Sequence, residues 1–501
     1  MRRVLQLSGL SGLFVTGFLS TQAFAQEPTS AEAQPPAAGP EAEAPAPVAP
    51  TAEVAAPAVA PAVAPAAKPK FGDLSTHGYF RGGFGVSGEK GRQTCFGLYS
   101  INGSLKSKYR LGNECEVWAE LDITSVLYAG DDGSVGSFHF MPTAFIPQTY
   151  IGYAPAQTIS AQDQQGFTST GATLAFPNLY ADIKGISWLF GGTAWGGSRY
   201  YKRESIYISD FFYWNPSGLG VGIEDVTLGK IWESAPDMVS DLRLSYAAFA
   251  VDGQPNGNPY VTQQYTFGIR HDVQLRGFRP YKSGEFQVGF QYIQNLSRDK
   301  NDKGDPATTF GGWGITVQHV QDVFGFGNNK LAFQYGNGGG TGFGTLARFY
   351  YPDFSLNQDK SDSRLRLLDV LTIQPTAWFG AQAAFVFQRD DVKEASAGDW
   401  ISAGTRLSFA VTEHAKVLGE VGHDRVTPKN GSAVRMLSKA TLALAIGTAK
   451  GFWARPELRL YGTYATWNAD ARTAHIDSGD FYFGTDKTNG FIVGLQTEAM
   501  W

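Results

Sequence analysis

The sequence has few charged residues, only two cysteines and, after its first segment, no long apolar run. Asp, Glu, Lys and Arg make up 17% of the 501 residues, against roughly 25% in an average soluble domain. No run beyond the N-terminal segment approaches the 18 or more apolar residues of a membrane helix, which excludes a helical membrane protein. The formal charge of −5 provides no basic stripe for nucleic acid.

Aromatic residues and glycine are abundant instead. Phe, Trp and Tyr make up 14% of the chain, which also contains 60 Gly. Low charge together with many aromatics and glycines is typical of an all-β protein with one face in a nonaqueous environment. A transmembrane antiparallel β-barrel of the outer-membrane type fits this description.

The N-terminus has the three parts of a secretory signal peptide. Arg2 and Arg3 are followed by an apolar stretch from Leu10 to Leu19 and by a small-residue cleavage pattern that ends at Ala25. The apolar stretch could instead serve as a membrane anchor, but it is short and interrupted by Gly and Ser. We therefore expect residues 1–25 to be removed on export.

Residues 26–70 differ in composition from the rest of the chain. They include eleven Pro and seventeen Ala, with no aromatic residue, Leu or Ile. Such a segment buries too little apolar surface to offset its ordering entropy, and closely spaced prolines favour extended polyproline II conformation. We expect a disordered, semi-rigid extension in the periplasm.

From residue 71 onward the chain alternates between apolar and polar positions. In Glu285–Tyr292 the even positions are apolar and the odd ones polar or small, and the last segment alternates similarly up to Trp501. Because successive strand side chains point to opposite faces, one face of the sheet is apolar. A soluble sandwich with that face inward remains an alternative. The export signal and the strand at the C-terminus favour a barrel over 71–501, in which 18 strands would leave about 24 residues for each strand and connector.

The polar face of these strands also includes aromatic residues. The alternation points Tyr79 and Arg81 into the lumen, and it points Trp118 and Glu120 the same way. Extended back to Trp453, the phase of the strand that follows this residue points it inward as well. Aromatic rings stack on the apolar faces of sugar rings, while charged groups hydrogen-bond the hydroxyls. The alternative for each aromatic is a packing role, but their shared phase indicates a sugar pathway.

The sequence contains no motif that indicates catalysis or a cofactor. Gly83–Gly88 matches a dinucleotide fingerprint, but strand alternation continues through it, where the fingerprint needs a helix. Cys95 and Cys115 could form a disulfide in an oxidising compartment or remain two buried thiols. We expect no enzyme activity, no metal and no cofactor.

Four segments together resemble the maltoporin family of outer-membrane carbohydrate porins: His77–Tyr79, Ser107–Cys115, Asp210–Trp214 and Trp453–Pro456. The resemblance covers most of 71–501 and is strongest at both ends and around residues 188–214. It implies an 18-stranded homotrimeric barrel with an inward-folded constriction loop. It also implies facilitated diffusion of maltose and maltodextrins along a helical aromatic slide that is flanked by polar tracks.

The resemblance assigns roles to individual residues of this chain. Cys95 and Cys115 resemble the family's first-loop disulfide. Met500 stands where the best-known members have a slide Trp, and Tyr150 and Tyr153 are candidate substitutes for a family Trp of the second loop. The slide would comprise Tyr79, Trp118, Phe212, Phe326, Trp453 and Met500, and the polar tracks Arg81, Arg110, Glu120, Arg203 and Asp210.

The sequence thus predicts a carbohydrate-selective porin of the Gram-negative outer membrane. One alternative is a general diffusion porin whose lumenal aromatics are incidental. The other is a secreted sugar-binding or hydrolysing β protein, in which a hydrolase would need two carboxylates about 5–9.5 Å apart.

Overall fold

The computed structural model describes residues 69–99, 106–147, 173–230, 241–251, 267–298, 311–343, 361–391, 397–478 and 487–501. The expected signal peptide, all but the end of the Pro/Ala-rich extension, Tyr150 and Tyr153 lie outside these ranges. Within them, no helix is both long enough and apolar enough to cross a membrane.

The described part of the chain is almost entirely β-structure. Three short 3₁₀ turns occur at Ser187–Leu189, Tyr207–Ser209 and Gly339–Gly342. The strands and the helix are β1 Leu74–Ser87, β2 Leu98–Tyr99, β3 Lys106–Ser107, β4 Glu116–Ala129, β5 Val135–Pro147, β6 Thr173–Ile186, β7 Gly192–Arg199, β8 Glu204–Ile206, β9 Phe211–Trp214, β10 Gly218–Lys230, β11 Asp241–Val251, β12 Gly268–Tyr281, β13 Gly284–Asn295, β14 Gly312–Asp322, β15 Gly327–Gly338, β16 Ser363–Thr376, β17 Phe379–Asp391, β18 Gly398–Ala410, β19 Ala415–Pro428, β20 Arg435–Gly447, β21 Glu457–Trp467, α1 Ala469–Ser478 and β22 Asn489–Met500.

The long strands form one closed antiparallel barrel. Among the described residues the sheet has 18 strands, and each strand pairs with the next long strand along the chain. The last strand, β22, pairs with β1 and closes the ring, with Tyr79 opposite Met500 and Phe84 opposite Leu495. The prediction of an all-β, 18-stranded antiparallel barrel is confirmed. The last strand ends at Met500, one residue before the expected end at Trp501.

The outer face of the barrel is apolar because strand alternation directs one set of side chains away from the lumen. On β20, Leu442, Leu444 and Ile446 are 62%, 58% and 67% exposed, whereas Ala443 and Ala445 between them are buried. The soluble sandwich would have buried the apolar set. Its exposure around a closed barrel excludes that alternative.

The apolar core lies inside the barrel, where two loops fold back against the wall. Leu111 lies in the loop between β1 and β4, hereafter the first loop, and Ile206 and Ile208 lie in the loop at 200–217. All three have no exposed surface. They belong to one buried cluster with wall residues such as Leu418. The lumen is therefore narrowed by chain that originates in loops rather than in strands.

The loop at 200–217, hereafter the constriction loop, crosses the lumen between distant parts of the wall. The Ile208 amide donates to Gln382 Oε1 of β17 at 3.0 Å, and Arg81 of β1 donates to Asp210 Oδ2 at 2.9 Å. Since β1 and β17 are not neighbours in the barrel, the loop spans the interior. This is the inward-folded constriction loop that the sequence predicted.

The first loop is closed at its base by a disulfide. Cys95 and Cys115 are bonded, with their Cα atoms 5.8 Å apart. Just inside this bond, the Asn113 side-chain oxygen accepts from the Phe96 amide at 2.7 Å. The disulfide alternative is therefore the one adopted, and it holds the strand end of β4 to the start of the loop.

Candidate functional site

The polar centre of the lumen is an ion-pair cluster in which Arg81 joins both inward-folded loops. Its guanidinium lies 2.9 Å from Asp210 Oδ2 of the constriction loop, 2.6 Å from Glu116 Oε1 and 3.6 Å from Glu114 Oε1. Lys108 of the first loop lies 2.8 Å from Glu114 and 3.0 Å from Glu116. Two cations and three carboxylates therefore form one ion-pair cluster between the wall and the two inward-folded loops.

Glu114 and Asp210 of this cluster stay ionised because cations surround them. Burial by itself would raise the pKa of Glu114, but Arg81, Lys108 and Arg110 outweigh it and hold the pKa well below its usual value. Burial is likewise outweighed at Asp210, where Arg81 and Arg110 lower the pKa. The fixed charges of the site persist over the physiological pH range.

The same carboxylates meet the geometric requirement for a metal site. One oxygen from each of Glu114, Glu116 and Asp210 lies within 4.8 Å of the others. Arg81 and Lys108 already bond these oxygens, however, and a divalent cation would have to displace them. We therefore interpret the group as an ion-pair network.

Glu498 of β22 is the centre of a second network, below the tip of the constriction loop. It accepts hydrogen bonds from Tyr79 at 3.0 Å and from Tyr207 at 2.5 Å. Arg455 and Arg459 donate to it at 3.0 Å and 2.6 Å. The tip of the loop is thus fixed to the wall through one carboxylate that two tyrosines and two arginines share.

Arg110 connects the two networks. It donates to Glu114 Oε1 at 2.6 Å and also to the Tyr79 hydroxyl. Its guanidinium lies 4.9 Å from the centre of the Tyr207 ring, close enough for a cation–π interaction. Of the predicted polar-track residues, Arg81, Arg110 and Asp210 therefore come together at one level of the lumen.

The other two predicted polar-track residues lie among aromatic rings. Glu120 accepts a hydrogen bond from Trp118 Nε1 at 2.9 Å. The Tyr200 side chain forms hydrogen bonds with both Glu120 and Arg203. The Arg203 guanidinium stacks 3.2 Å from the centre of the Tyr200 ring and 5.1 Å from that of Phe212. Phe212 is 38% exposed on the constriction loop, so its ring surface is open to the lumen.

Two predicted slide residues, Tyr79 and Met500, pair across strands, and a third, Trp118, lies on the neighbouring strand β4. Trp118 stands opposite Arg81 on neighbouring strands, and Tyr79 stands opposite both Glu120 and Met500. These side chains share the lumenal face because directly paired residues of an antiparallel sheet point to the same side. Because Arg81 on this face bonds Asp210 of the inward-folded constriction loop, the shared face is the lumenal one.

The other two predicted slide residues lie in turns rather than in strands. Trp453 is in the turn between β20 and β21, four residues before β21 begins, so strand alternation does not orient it. Its ring is 44% exposed and lies 4.8 Å from the ring of Tyr207. Phe326 lies in the turn before β15 and packs against Phe324, with ring centres 6.0 Å apart.

The turns of Phe326 and Trp453 are joined through one wall residue. Gln374 donates its backbone amide to the Phe326 carbonyl at 2.7 Å, and its side-chain oxygen accepts from the Phe452 amide at 2.7 Å. Both turns therefore belong to the same end of the barrel. Trp118 lies two residues after the start of β4, at the end of that strand which adjoins the first loop.

Sequence reasoning missed Tyr207, Glu498 and Lys108 as parts of the site. The inward phase of β22 does identify Glu498, whose alternation partners are Gly494 and Gln496. Nothing local identifies Tyr207 or Lys108, because both lie in loops where side-chain direction follows no period. Only the folding of those loops into the lumen brings them to the site.

Comparisons with solved structures find outer-membrane proteins at low sequence identity. OccAB1 of Acinetobacter baumannii has a TM-score of 0.44 at 10% identity, covering 86% of this chain and 97% of that one. OpdK of Pseudomonas aeruginosa with vanillate has a TM-score of 0.41 at 11% identity, covering 86% and 99%. The channel DcaP of Acinetobacter baumannii has a TM-score of 0.40 at 10% identity, covering 86% and 98%. At these scores they add nothing to the assignment below.

The family comparison covers the whole barrel. The model of the LamB porin family matches residues 74–501, which is the whole barrel. Such a match makes the chain a porin of the outer membrane, and the expected family resemblance is confirmed. The chain belongs to the LamB porin family.

Proposed function

We propose that this porin carries neutral oligosaccharides of the maltose and maltodextrin type across the outer membrane by facilitated diffusion. The observation that supports this most is the series of partly exposed aromatic rings in the lumen, each beside charged hydrogen-bonding groups. Trp118 lies beside Glu120, Tyr79 beside Glu498 and Phe212 beside Arg203. Rings stack on the C–H faces of sugars while the neighbouring polar groups bond their hydroxyls.

The charge pattern supports a neutral solute. Arg81 and Lys108 are paired with Glu114, Glu116 and Asp210 at 2.6–3.6 Å. Paired charges present hydrogen-bonding atoms without a strong net field, so neither anions nor cations gain much by entering. A sugar can exchange its water hydrogen bonds for bonds to such a surface, and binding that is weak and repeated lets it leave again.

The slide and the polar tracks follow from this proposal. The slide comprises Tyr79, Trp118, Phe212, Phe326, Trp453 and Met500. The polar tracks comprise Arg81, Arg110, Glu120, Arg203 and Asp210. The channel needs no cofactor and performs no reaction on the sugar.

The N-terminal part completes the proposal. Residues 1–25 act as an export signal that is removed, and residues 26–70 form a periplasmic extension of the barrel. The long-loop end of the barrel then faces the exterior and the short-turn end the periplasm. Three copies of the chain form the working assembly.

Single-channel recordings with added sugars test this function. Maltose and longer α-1,4-glucans should block the ion current in a concentration-dependent way, with the longer chains blocking more strongly because they contact more rings. Sucrose serves as the comparison sugar of different shape. A current that no sugar blocks at any concentration would contradict the proposal and identify a general diffusion porin.

A further inference from the structure

One aromatic ring of the first loop is seated in a slot in the inner wall. Tyr109 is 2% exposed, and its hydroxyl lies 3.0 Å from Ser402 Oγ. Its ring covers Gly404 and Gly422, which pair across β18 and β19. A methyl carbon on Gly422 would lie 1.9 Å from Tyr109 Cδ2, and one on Gly404 2.2 Å from Tyr109 Cε1. The slot therefore requires glycine at both positions.

The residues after Tyr109 are bonded to three further points of the wall. The Leu111 amide donates to Glu420 Oε1 at 2.9 Å, and the Leu111 carbonyl accepts from Lys439 Nζ at 2.8 Å. The Gly112 amide donates to Gln496 Oε1 at 3.2 Å. Together with the seated ring, these bonds fix residues 109–112 against the barrel interior.

The fixed segment contacts the constriction loop directly. The Arg110 amide donates to the Ile208 carbonyl at 3.0 Å, and the Arg110 guanidinium stacks on Tyr207. Ile208 and Tyr207 form the tip of that loop. Arg110 directly follows Tyr109 in the chain. A displacement of Tyr109 would therefore also displace Arg110 and its hydrogen bond to the tip of the constriction loop.

We propose that Tyr109, seated on Gly404 and Gly422, is a positioning residue that sets the cross-section of the constriction. It acts through Arg110 on the loop tip and not by contact with solute, since its side chain is buried. Its effect on ion conductance is independent of what the channel carries. Its effect on sugar block rests on the proposed function.

Substituting the slot glycine tests the inference without altering any group that faces solute. Gly422→Ala should displace the Tyr109 ring and push residues 109–112 into the lumen, because close-packed interiors do not absorb an added methyl group without movement. We expect a lower open-channel conductance and a sugar-block constant changed by about threefold or more. Gly419→Ala is the control on the outer face of the same strand, since a methyl carbon there would meet nothing within 4 Å.

A double-mutant cycle separates positioning from general damage to the wall. Tyr109→Ala removes the ring, so adding Gly422→Ala to it should change neither conductance nor block any further. Tyr109→Phe keeps the ring and loses only the bond to Ser402, and should behave as wild type. If Gly422→Ala fails to give the heat-modifiable folded band, Tyr109→Ala and Tyr109→Phe still test the inference by themselves.

Two results would overturn the inference. One is a wild-type conductance in Tyr109→Ala, and the other is additive effects of Tyr109→Ala and Gly422→Ala. If wild-type channels are not blocked by any sugar while the conductance changes appear as expected, the proposed function fails and the positioning role of Tyr109 stands.

Discussion

The outer and inner faces of the barrel are built on different principles. On the outer face of β20, Leu442 and Leu444 are exposed and apolar, and each is explained by its own strand. On the inner face, Arg81 bonds Glu116 of the next strand, Glu114 of the first loop and Asp210 of the constriction loop. The outer face depends on local alternation, whereas the inner face depends on segments far apart in sequence.

Because of this difference, substitutions on the outer face should change the stability of the inserted barrel, whereas substitutions on the inner face should change transport. An outward residue contacts lipid and the neighbouring strands, so its exchange changes the stability of the inserted barrel. An inward residue contacts loops that narrow the pore, so its exchange changes transport first. Each of the following experiments tests one side of this comparison.

The largest effect should come from placing a charge on the outer face. Leu442 lies near the middle of β20 and is 62% exposed, so Leu442→Arg would bring a guanidinium into the hydrocarbon region. We expect the free energy of unfolding to fall by about 2–4 kcal/mol, the cost found for Arg near the bilayer midplane. Guanidinium titration of the barrel in phospholipid vesicles measures this loss. Leu442→Val is the control, and an arginine variant as stable as wild type would show that this face does not contact lipid.

A tenfold effect on transport should follow from removing one lumenal ring. Stacking of an aromatic ring on a base contributes roughly 1–3 kcal/mol by alanine substitution, and a sugar ring should give the lower half of that scale. Because about 1.4 kcal/mol is a factor of ten in affinity, Trp453→Ala should weaken sugar block about tenfold while the ion conductance stays the same or rises slightly. Leu458→Ala, which removes a side chain exposed on the outer face, should change neither. Block at wild-type strength in Trp453→Ala would remove this residue from the slide.

Reducing the disulfide should loosen the inner face only. The Cys95–Cys115 bond closes a loop of 20 residues in sequence separation, and opening it releases the base of the first loop while the strand pairing remains. We expect increased current noise with retention of the heat-modifiable folded band. Electrophoresis with and without reductant, in parallel with single-channel recording, measures both. Unfolding of the barrel on reduction would contradict the prediction.

Lowering the pH should have little effect on the constriction until well into the acid range. The pKa values of Glu114 and Asp210 are depressed in the folded state, so their stabilising contribution is complete above their unfolded values of about 4. That contribution is lost only as the pH falls through the lower folded values. Conductance and sugar block should therefore be constant between pH 7 and about pH 4.5. A titration centred within that range that is abolished by Glu114→Gln and Asp210→Asn would show that the network does not hold these carboxylates ionised.

The smallest effect should come from deleting the N-terminal extension. Residues 26–70 contain no aromatic residue, Leu or Ile, so they offer nothing to a packed core. A chain without them should insert, give the heat-modifiable band and conduct as wild type. Loss of that band would assign the extension a part in barrel assembly.

For much of the site, the sequence predicted only the face of the strand on which each side chain lies. Tyr79, Arg81, Trp118 and Glu120 lie on long strands, so period two fixed their inward direction. The resemblance supplied the residues of the constriction loop. The inward direction of Trp453 was predicted from the alternation of β21, but the residue lies in the turn before that strand. Its position depends instead on its contact with Tyr207.

The sequence by itself determined the barrel, its apolar outer face and the inward direction of strand residues, because alternation is a local property of the extended chain. The tertiary structure alone decided what those inward residues meet. Lys108, Tyr109 and Tyr207 have no periodic signal, and they reach the lumen because two loops fold back against the wall. The partners of Tyr109 and Tyr207, such as Gly422 and Glu498, are separated from them by hundreds of residues, and no local pattern encodes a contact over that distance.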